Sequence, residues 1–172
     1  MKRTALLVID PQNDYFEVGL FPLWNTQDTL ETILKAITHA QANDIPIVLI
    51  QHVADSSLGV APFFNPETMG VEIHPQVLAL APNATVVVKH FADAFEQTEL
   101  NAVLSELKVE RLLLCGMMTQ NCVTHTALSK AAEEYDVKVI GEACTTREEM
   151  VHLIALNAIS IRVPCVSIKE SF

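Results

Sequence analysis

Ala5-Leu6-Leu7-Val8-Ile9-Asp10 is a run of five apolar residues that ends on an acid. Two later stretches repeat the design. Thr85-Val86-Val87-Val88 runs into Lys89, and Arg111-Leu112-Leu113-Leu114-Cys115-Gly116 runs, through Met117-Met118-Thr119, into Cys122 at the start of a helix. Strands that are apolar on both faces belong to parallel sheets covered by helices. In such a sheet ligands bind at the carboxyl ends of the strands, where the strand order reverses. An acid, an ammonium and a thiol delivered to one edge outline a nucleophilic cysteine site.

Strand and helix alternate along the rest of the chain. Leu30, Ile33, Leu34, Ile37 and Ala40 recur at helical spacing, with Thr26 or Asp28 as cap and Asn43-Asp44 as the end. Ile45 to Ile50 is a second strand and Thr85 to Lys89 a third. Helices are expected over 96–107, 121–135 and 147–158, the first two flanking a fourth strand from Arg111 to Gly116. Val137 to Ile140 and Ile159 to Ile168 supply strands five and six. The pattern predicts an α/β, Rossmann-like three-layer sandwich: a six-stranded parallel sheet, order 3-2-1-4-5-6, with helices on both faces, in a single domain spanning 1–172. That order puts Asp10 and Cys122 beside the switch point. The stretch from Val53 to Pro75 has no clean period. Val60, Phe63, Phe64 and Met69 suit a lid, a subunit contact or packing of the loop onto its own core.

Composition narrows the function. Half of the 172 residues are hydrophobic and 19% are charged, ample for a core that buries roughly 70% of the unfolded surface. The net charge of −10 argues against nucleic acid and anionic membranes, which need Lys/Arg patches. No apolar run is long enough to span a bilayer. Met1-Lys2-Arg3-Thr4 has the positive start of a signal peptide, but the run behind it is short and ends at Asp10 without a small-residue cleavage site. A cytoplasmic protein is expected. Cys115, Cys144 and Cys165 fall in or beside strand-like segments and read as small buried hydrophobes.

Cys122 differs because it lies about three residues into a helix that Thr119 can cap, where N–H groups and the dipole favour a thiolate. Asp10, before Pro11, could as readily end its strand in an Asx turn, and Lys89 alone could be a solvated side chain. One mechanism that uses all three raises each. Phosphate-binding glycine loops and the G-x-S-x-G elbow are absent. His52, His74 and His90 make a weak metal set, and His125 a general base ranked below Asp10.

Leu6 to Phe16, Val88 to Phe95 and Gly116 to Val123 resemble three ordered motifs of the isochorismatase-like cysteine hydrolases: D-x-Q-N-D-F/Y, K-x-x-x-S/D-A/G-F and G-x-x-T-x-x-C-V. That family includes nicotinamidases and N-carbamoylsarcosine amidase. The resemblance implies an Asp10–Lys89–Cys122 triad and a non-proline cis peptide at Met117–Met118. It also implies an oxyanion hole from the Met118 and Cys122 N–H groups. Gln12, Phe16, Trp24, Phe64 and Phe91 are candidate substrate-binding residues. Nicotinamidases carry Asp-x-His beside further metal-binding histidines; here strand two ends Ile50-Gln51-His52, which favours a relative with no metal and no cofactor.

The resulting expectation is a cysteine amidohydrolase acting on an amide or ureido C–N bond of a small molecule through a thioester. Lys89 and the helix N-terminus are expected to lower the thiol pKa, and Asp10 to take its proton. A homo-oligomer, dimer or larger, is implied by the family. The alternatives are a catalytically silent binding or scaffold protein on the same fold, and a metal-dependent nicotinamidase-type hydrolase.

Overall fold

The structure, a computed structural model, describes residues 2–172. Six parallel strands form one sheet: β1 (Thr4–Ile9), β2 (Ile47–His52), β3 (Thr85–Lys89), β4 (Arg111–Met117), β5 (Asp136–Thr145) and β6 (Cys165–Val166). Their order is β3-β2-β1-β4-β5-β6, as expected. The chain works outward from β1 on one side and from β4 on the other, so the switch point lies between those two. Ala5 through Ile9 and Leu112 through Met117 have no exposed surface, which is why both runs lack polar alternation.

Six α-helices cover the sheet: α1 (Thr26–Ala42), α2 (Pro75–Leu80), α3 (Leu100–Glu106), α4 (Thr124–Ala127), α5 (Glu149–Ser160) and α6 (Ile168–Ser171). Right-handed crossovers in opposite directions from the centre place them on opposite faces. α1 touches α2, while α4 touches α5. The His39 ring on α1 stacks against Phe172 just beyond α6, at 5.5 Å, which brings the chain's last turn to the α1 face.

Several elements depart from the sequence reading. α1 starts at Thr26, but its cap is Asn25, in the left-handed region at φ 52°. The helix expected over 96–107 is confined to Leu100–Glu106. The one expected over 121–135 breaks into a π-helical turn, Thr119–Val123, then α4, then a 3-10 turn, Ala131–Glu134. β5 is longer than expected, ten residues reaching Thr145, so α5 begins only at Glu149 with Glu148 as its cap. α5 also absorbs Ile159 and Ser160, leaving β6 as two residues. β6 is an edge, and so short an edge offers few open groups for mispairing. Pro75 opens α2 at its first turn, where a missing N–H costs nothing.

The 53–75 loop packs chiefly on its own core. Phe64 is buried, its ring 4.6 Å from Tyr15, and Phe63 lies 5.4 Å from the same ring. Val60 and Met69 remain exposed. Among the described residues no helix is long and apolar enough to cross a membrane.

Candidate active site

Asp10 leaves β1 with a positive φ of 49°, a region that Asp and Asn tolerate better than most residues. Its N–H donates to the Ile50 carbonyl (3.0 Å) and its carbonyl accepts from the Gln12 N–H (2.8 Å). Backbone on both sides therefore fixes its direction. Gly116 on β4 completes the fit. It pairs with Ile9, has φ +121°, and a Cβ there would stand 2.0 Å from the Ile9 carbonyl oxygen. No other residue type fits at that approach. The β4–β5 ladder also shifts register between Leu114 and Gly116. The peptide bond Met117–Met118 that follows is cis, as the resemblance implied.

Lys89 ends β3, paired in register with His52 at the end of β2. Its side chain has no exposed surface. The ammonium Nζ lies 2.9 Å from Asp10 Oδ2, 3.0 Å from the Phe91 carbonyl oxygen, 3.0 Å from His52 Nδ1 and 3.3 Å from Cys122 Sγ. Three residues from remote stretches of sequence thus meet within a side chain's reach. Asp10 is also wholly buried. A carboxylate oxygen of Asp10 and the Cys122 Sγ lie within 4.8 Å of each other, and among the described residues neither Asp10 oxygen has a hydrogen-bond partner. Most of the compensation for that buried charge therefore falls to Lys89.

Electrostatics follow from burial. Desolvation alone would lower Lys89, but the Asp10 carboxylate and then Cys122 outweigh it and hold the ammonium above its ordinary pKa. Burial, then the Lys89 charge, lowers His52 to about 4, so its ring is neutral near pH 7. Burial and then Asp10 push the Cys122 thiol up, and Lys89 offsets only part of that. This corrects the expected depressed thiol. In the resting site the sulfur holds its proton, because desolvation of a thiolate exceeds one ammonium's attraction.

The local structure around Cys122 differs from a capped helix start. Thr119 does not cap; its Oγ1 is 2.9 Å from His152 Nδ1 on α5. Met118 occupies the cap position, and its carbonyl accepts from the N–H groups of Asn121 (3.0 Å) and Val123 (3.2 Å). The wider π turn carries Cys122, and such turns recur at functional sites. Cys122 is 3% exposed and Met118 7%.

The remaining candidates divide. Gln12 is fully buried, and its amide bridges backbone. Nε2 donates to the carbonyls of His52 (2.8 Å) and Val71 (2.6 Å), while Oε1 accepts from the His52 N–H (2.8 Å). It clamps the end of β2. Asn13 and Asp14 do similar work. Asn13 Nδ2 donates to the Met69 carbonyl (2.8 Å), and Asp14 accepts from the N–H groups of Leu20 (3.1 Å) and Phe64 (2.7 Å). Phe16 is buried with its ring 4.4 Å from His74. Phe64 packs against Tyr15 and lies 5.9 Å from the His52 ring. The half-buried Trp24 ring lies 5.9 Å from His152. Phe91 is 40% exposed beside the carbonyl that binds Lys89. His125 is tied to the Asn121 carbonyl.

Sequence reasoning missed Tyr15. Its ring is buried against Phe64, and its pKa is raised by burial first and then by the charges of Cys122, Asp10 and Asp14. Tyr15 fills the F/Y position of the D-x-Q-N-D-F/Y motif, the one signal that could have singled it out. A hollow of about 530 Å³ lies elsewhere, lined by Arg3, Asp44, Arg111 and Phe172, at the amino ends of the strands.

Asp10, His52 and Cys122 each offer one donor atom within 4.8 Å of the others, a spacing that invites a metal. The set does not fit one. Metal–ligand distances are about 2.0–2.3 Å, and an ion drawing in these donors would stand beside, or in place of, the Lys89 ammonium that already touches all three.

Comparison with known proteins agrees with this architecture. The chain is 40% identical over 143 residues to the uncharacterized isochorismatase family protein YddQ of Bacillus subtilis (strain 168), covering 83% of this chain and 78% of that one. It is 25% identical to the ureidoacrylate amidohydrolase RutB of Acinetobacter baylyi, over 83% of this chain and 71% of RutB. The crystal structure of an isochorismatase family protein from Desulfovibrio vulgaris superposes with a TM-score of 0.89 at 27% identity, covering 99% and 97% of the two chains. Residues 4–169 match the isochorismatase domain. With every strand of the sheet inside that match, the chain belongs to the isochorismatase family of hydrolases.

Proposed function

We propose that the protein is a cysteine hydrolase that cleaves an amide or ureido C–N bond of a small molecule through a thioester on Cys122. The observation that carries this reading is the Lys89 ammonium, 2.9 Å from Asp10 and 3.3 Å from Cys122. The thiol gives its proton to Asp10 as sulfur attacks the carbonyl carbon. Net charge is unchanged: the negative charge passes from Asp10 to the sulfur, both within reach of Lys89, and then to the carbonyl oxygen as the C–S bond forms. Backbone N–H groups of Met118 and Cys122 hold the developing oxyanion; one such donor is worth about 3–4 kcal/mol. Asp10 then protonates the leaving amine as the C–N bond breaks. Water adds to the thioester, giving its proton to Asp10, and the carbon–sulfur bond breaks to restore the thiol. RutB, an amidohydrolase by name, acts on a ureido compound, which supports the substrate class.

The same proposal includes self-assembly. Met150, Leu153 and Ile154 on α5, with Ile161 beyond it, are all more than half exposed, and their helical spacing presents an apolar stripe. A second reading, a binding or scaffold protein with an idle triad, is favoured by one fact: Cys122 is only 3% exposed. A panel of amides, ureides and N-carbamoyl compounds, read by ammonia release, separates the two. The hydrolase reading expects turnover that vanishes in Cys122→Ala. Silence across the panel with no labelling of Cys122 favours the scaffold.

A further inference from the structure

Lys89 has one acceptor for each of its protons. An ammonium donates three hydrogen bonds, and Nζ has three such partners, His52 Nδ1, the Phe91 carbonyl and Cys122 Sγ, with Asp10 Oδ2 beside them as the ion-pair partner at 2.9 Å. The sulfur is the farthest of them, so where the ammonium settles depends on what holds it from the other side. The Phe91 carbonyl belongs to the chain that continues from β3. His52 comes from the neighbouring strand, and its backbone is pinned on both faces by Gln12. Lys89 can only donate, so His52 Nδ1 must accept. A neutral ring in that role carries its proton on Nε2.

We propose that His52 is the positioning residue of this site: its Nδ1 lone pair anchors the Lys89 ammonium between Asp10 and Cys122. The inference rests on the hydrolase reading for its catalytic consequence, but not for its geometry. It gives His52 a use that excludes two others. With Nδ1 occupied by an N–H donor, His52 cannot be the general base through that atom. With the ammonium seated among Asp10, His52 and Cys122, the trio serves Lys89 in place of a metal ion. Gln12, which is buried and makes two of its three bonds to the His52 backbone, gains a reason as well: it sets the height of the ring by fixing both the N–H and the carbonyl of that residue.

The test uses two readouts. In ¹⁵N NMR of the wild-type protein near pH 7, His52 should show an unprotonated Nδ1 and a protonated Nε2, and the Nδ1 signal should move in Lys89→Met. This needs no turnover. The second readout compares His52→Asn, His52→Gln and His52→Leu by the rate of iodoacetamide alkylation at Cys122, read by peptide mapping, and by kcat and KM on a substrate from the panel. Asn places its Oδ1 where Nδ1 was, whereas Gln carries its acceptor one methylene farther out. His52→Asn should stay within threefold of wild type. His52→Gln and His52→Leu should lose at least tenfold in alkylation rate and kcat with KM within threefold. Asn and Gln behaving alike would overturn the proposal even if Leu fails to fold, and so would a protonated Nδ1. If the wild-type protein shows the predicted tautomer but neither alkylation nor turnover, the hydrolase reading fails and the placement of Lys89 by His52 stands.

Discussion

The Nζ of Lys89 stands 3.3 Å from the Sγ of Cys122, and neither side chain meets bulk water to any extent. Lys89 is also 2.9 Å from the Asp10 carboxylate. Attraction between charges is far stronger in such surroundings than at a surface, but desolvation of each ion opposes it. The balance leaves Lys89 charged and Cys122 protonated at rest. The sulfur therefore becomes a nucleophile only as its proton moves.

Removing the ammonium leaves Asp10 buried without its cation. Lys89→Met keeps most of the volume, so the loss should be electrostatic. Urea denaturation near pH 7 should show destabilisation of about 3–5 kcal/mol. Unchanged stability would mean that the ion pair is not buried as described.

The neutral His52 ties stability to pH. Its folded pKa is about 4 against 6.5 for the free side chain, so between those values the unfolded chain binds a proton that the folded chain does not. Stability from this group is complete above about pH 6.5 and is lost as pH falls toward 4. Burial also lowers His74 and His152, which act in the same direction. Melting curves of wild type and His52→Asn from pH 4 to 7 should therefore show a shallower slope in the variant, and equal slopes would contradict the assignment.

Gly116→Ala should be among the most damaging single changes in the sheet. The new methyl would meet the Ile9 carbonyl at 2.0 Å, in a φ region that alanine avoids. Destabilisation above about 3 kcal/mol is expected, and chemical denaturation would measure it. A mild effect would show that β1 and β4 separate easily at the switch point.

Asp10, Lys89 and Cys122 were legible because each ends or follows an uninterrupted apolar run, and strand order then carries them to one edge. The bounds of α1 and β3 were legible for a similar reason: their periodicity and end signals agree. The stretch from Asn121 to Tyr135 misled because Val123, Ala127, Leu128 and Ala131 keep helical spacing while hydrogen bonding changes from π to α to 3-10 turns. β5 ran past Ile140 because Gly141, Ala143 and Cys144 carry little strand signal of their own, yet Gly116 and Met117 pair with Cys144 and Thr145. His52 looked like a possible metal ligand because sequence does not reveal that the lysine ending the neighbouring strand, in register with it, fills the space.

The exposed stripe on α5 predicts association. Light scattering with size exclusion should find wild type as a dimer or larger, and Ile154→Glu, which puts a charge in an exposed apolar row, should shift it toward the monomer without loss of helix signal. A monomeric wild type at tens of micromolar would remove the assembly from the account.

The most direct measurement is intact-protein mass spectrometry after acid quench of the enzyme turning over an amide or ureide found by the ammonia panel. The account predicts an added acyl or carbamoyl mass that maps to Cys122, is absent in Cys122→Ala, and disappears as substrate is exhausted. Turnover by Cys122→Ala at near the wild-type rate, with no adduct on the wild-type protein, would contradict it.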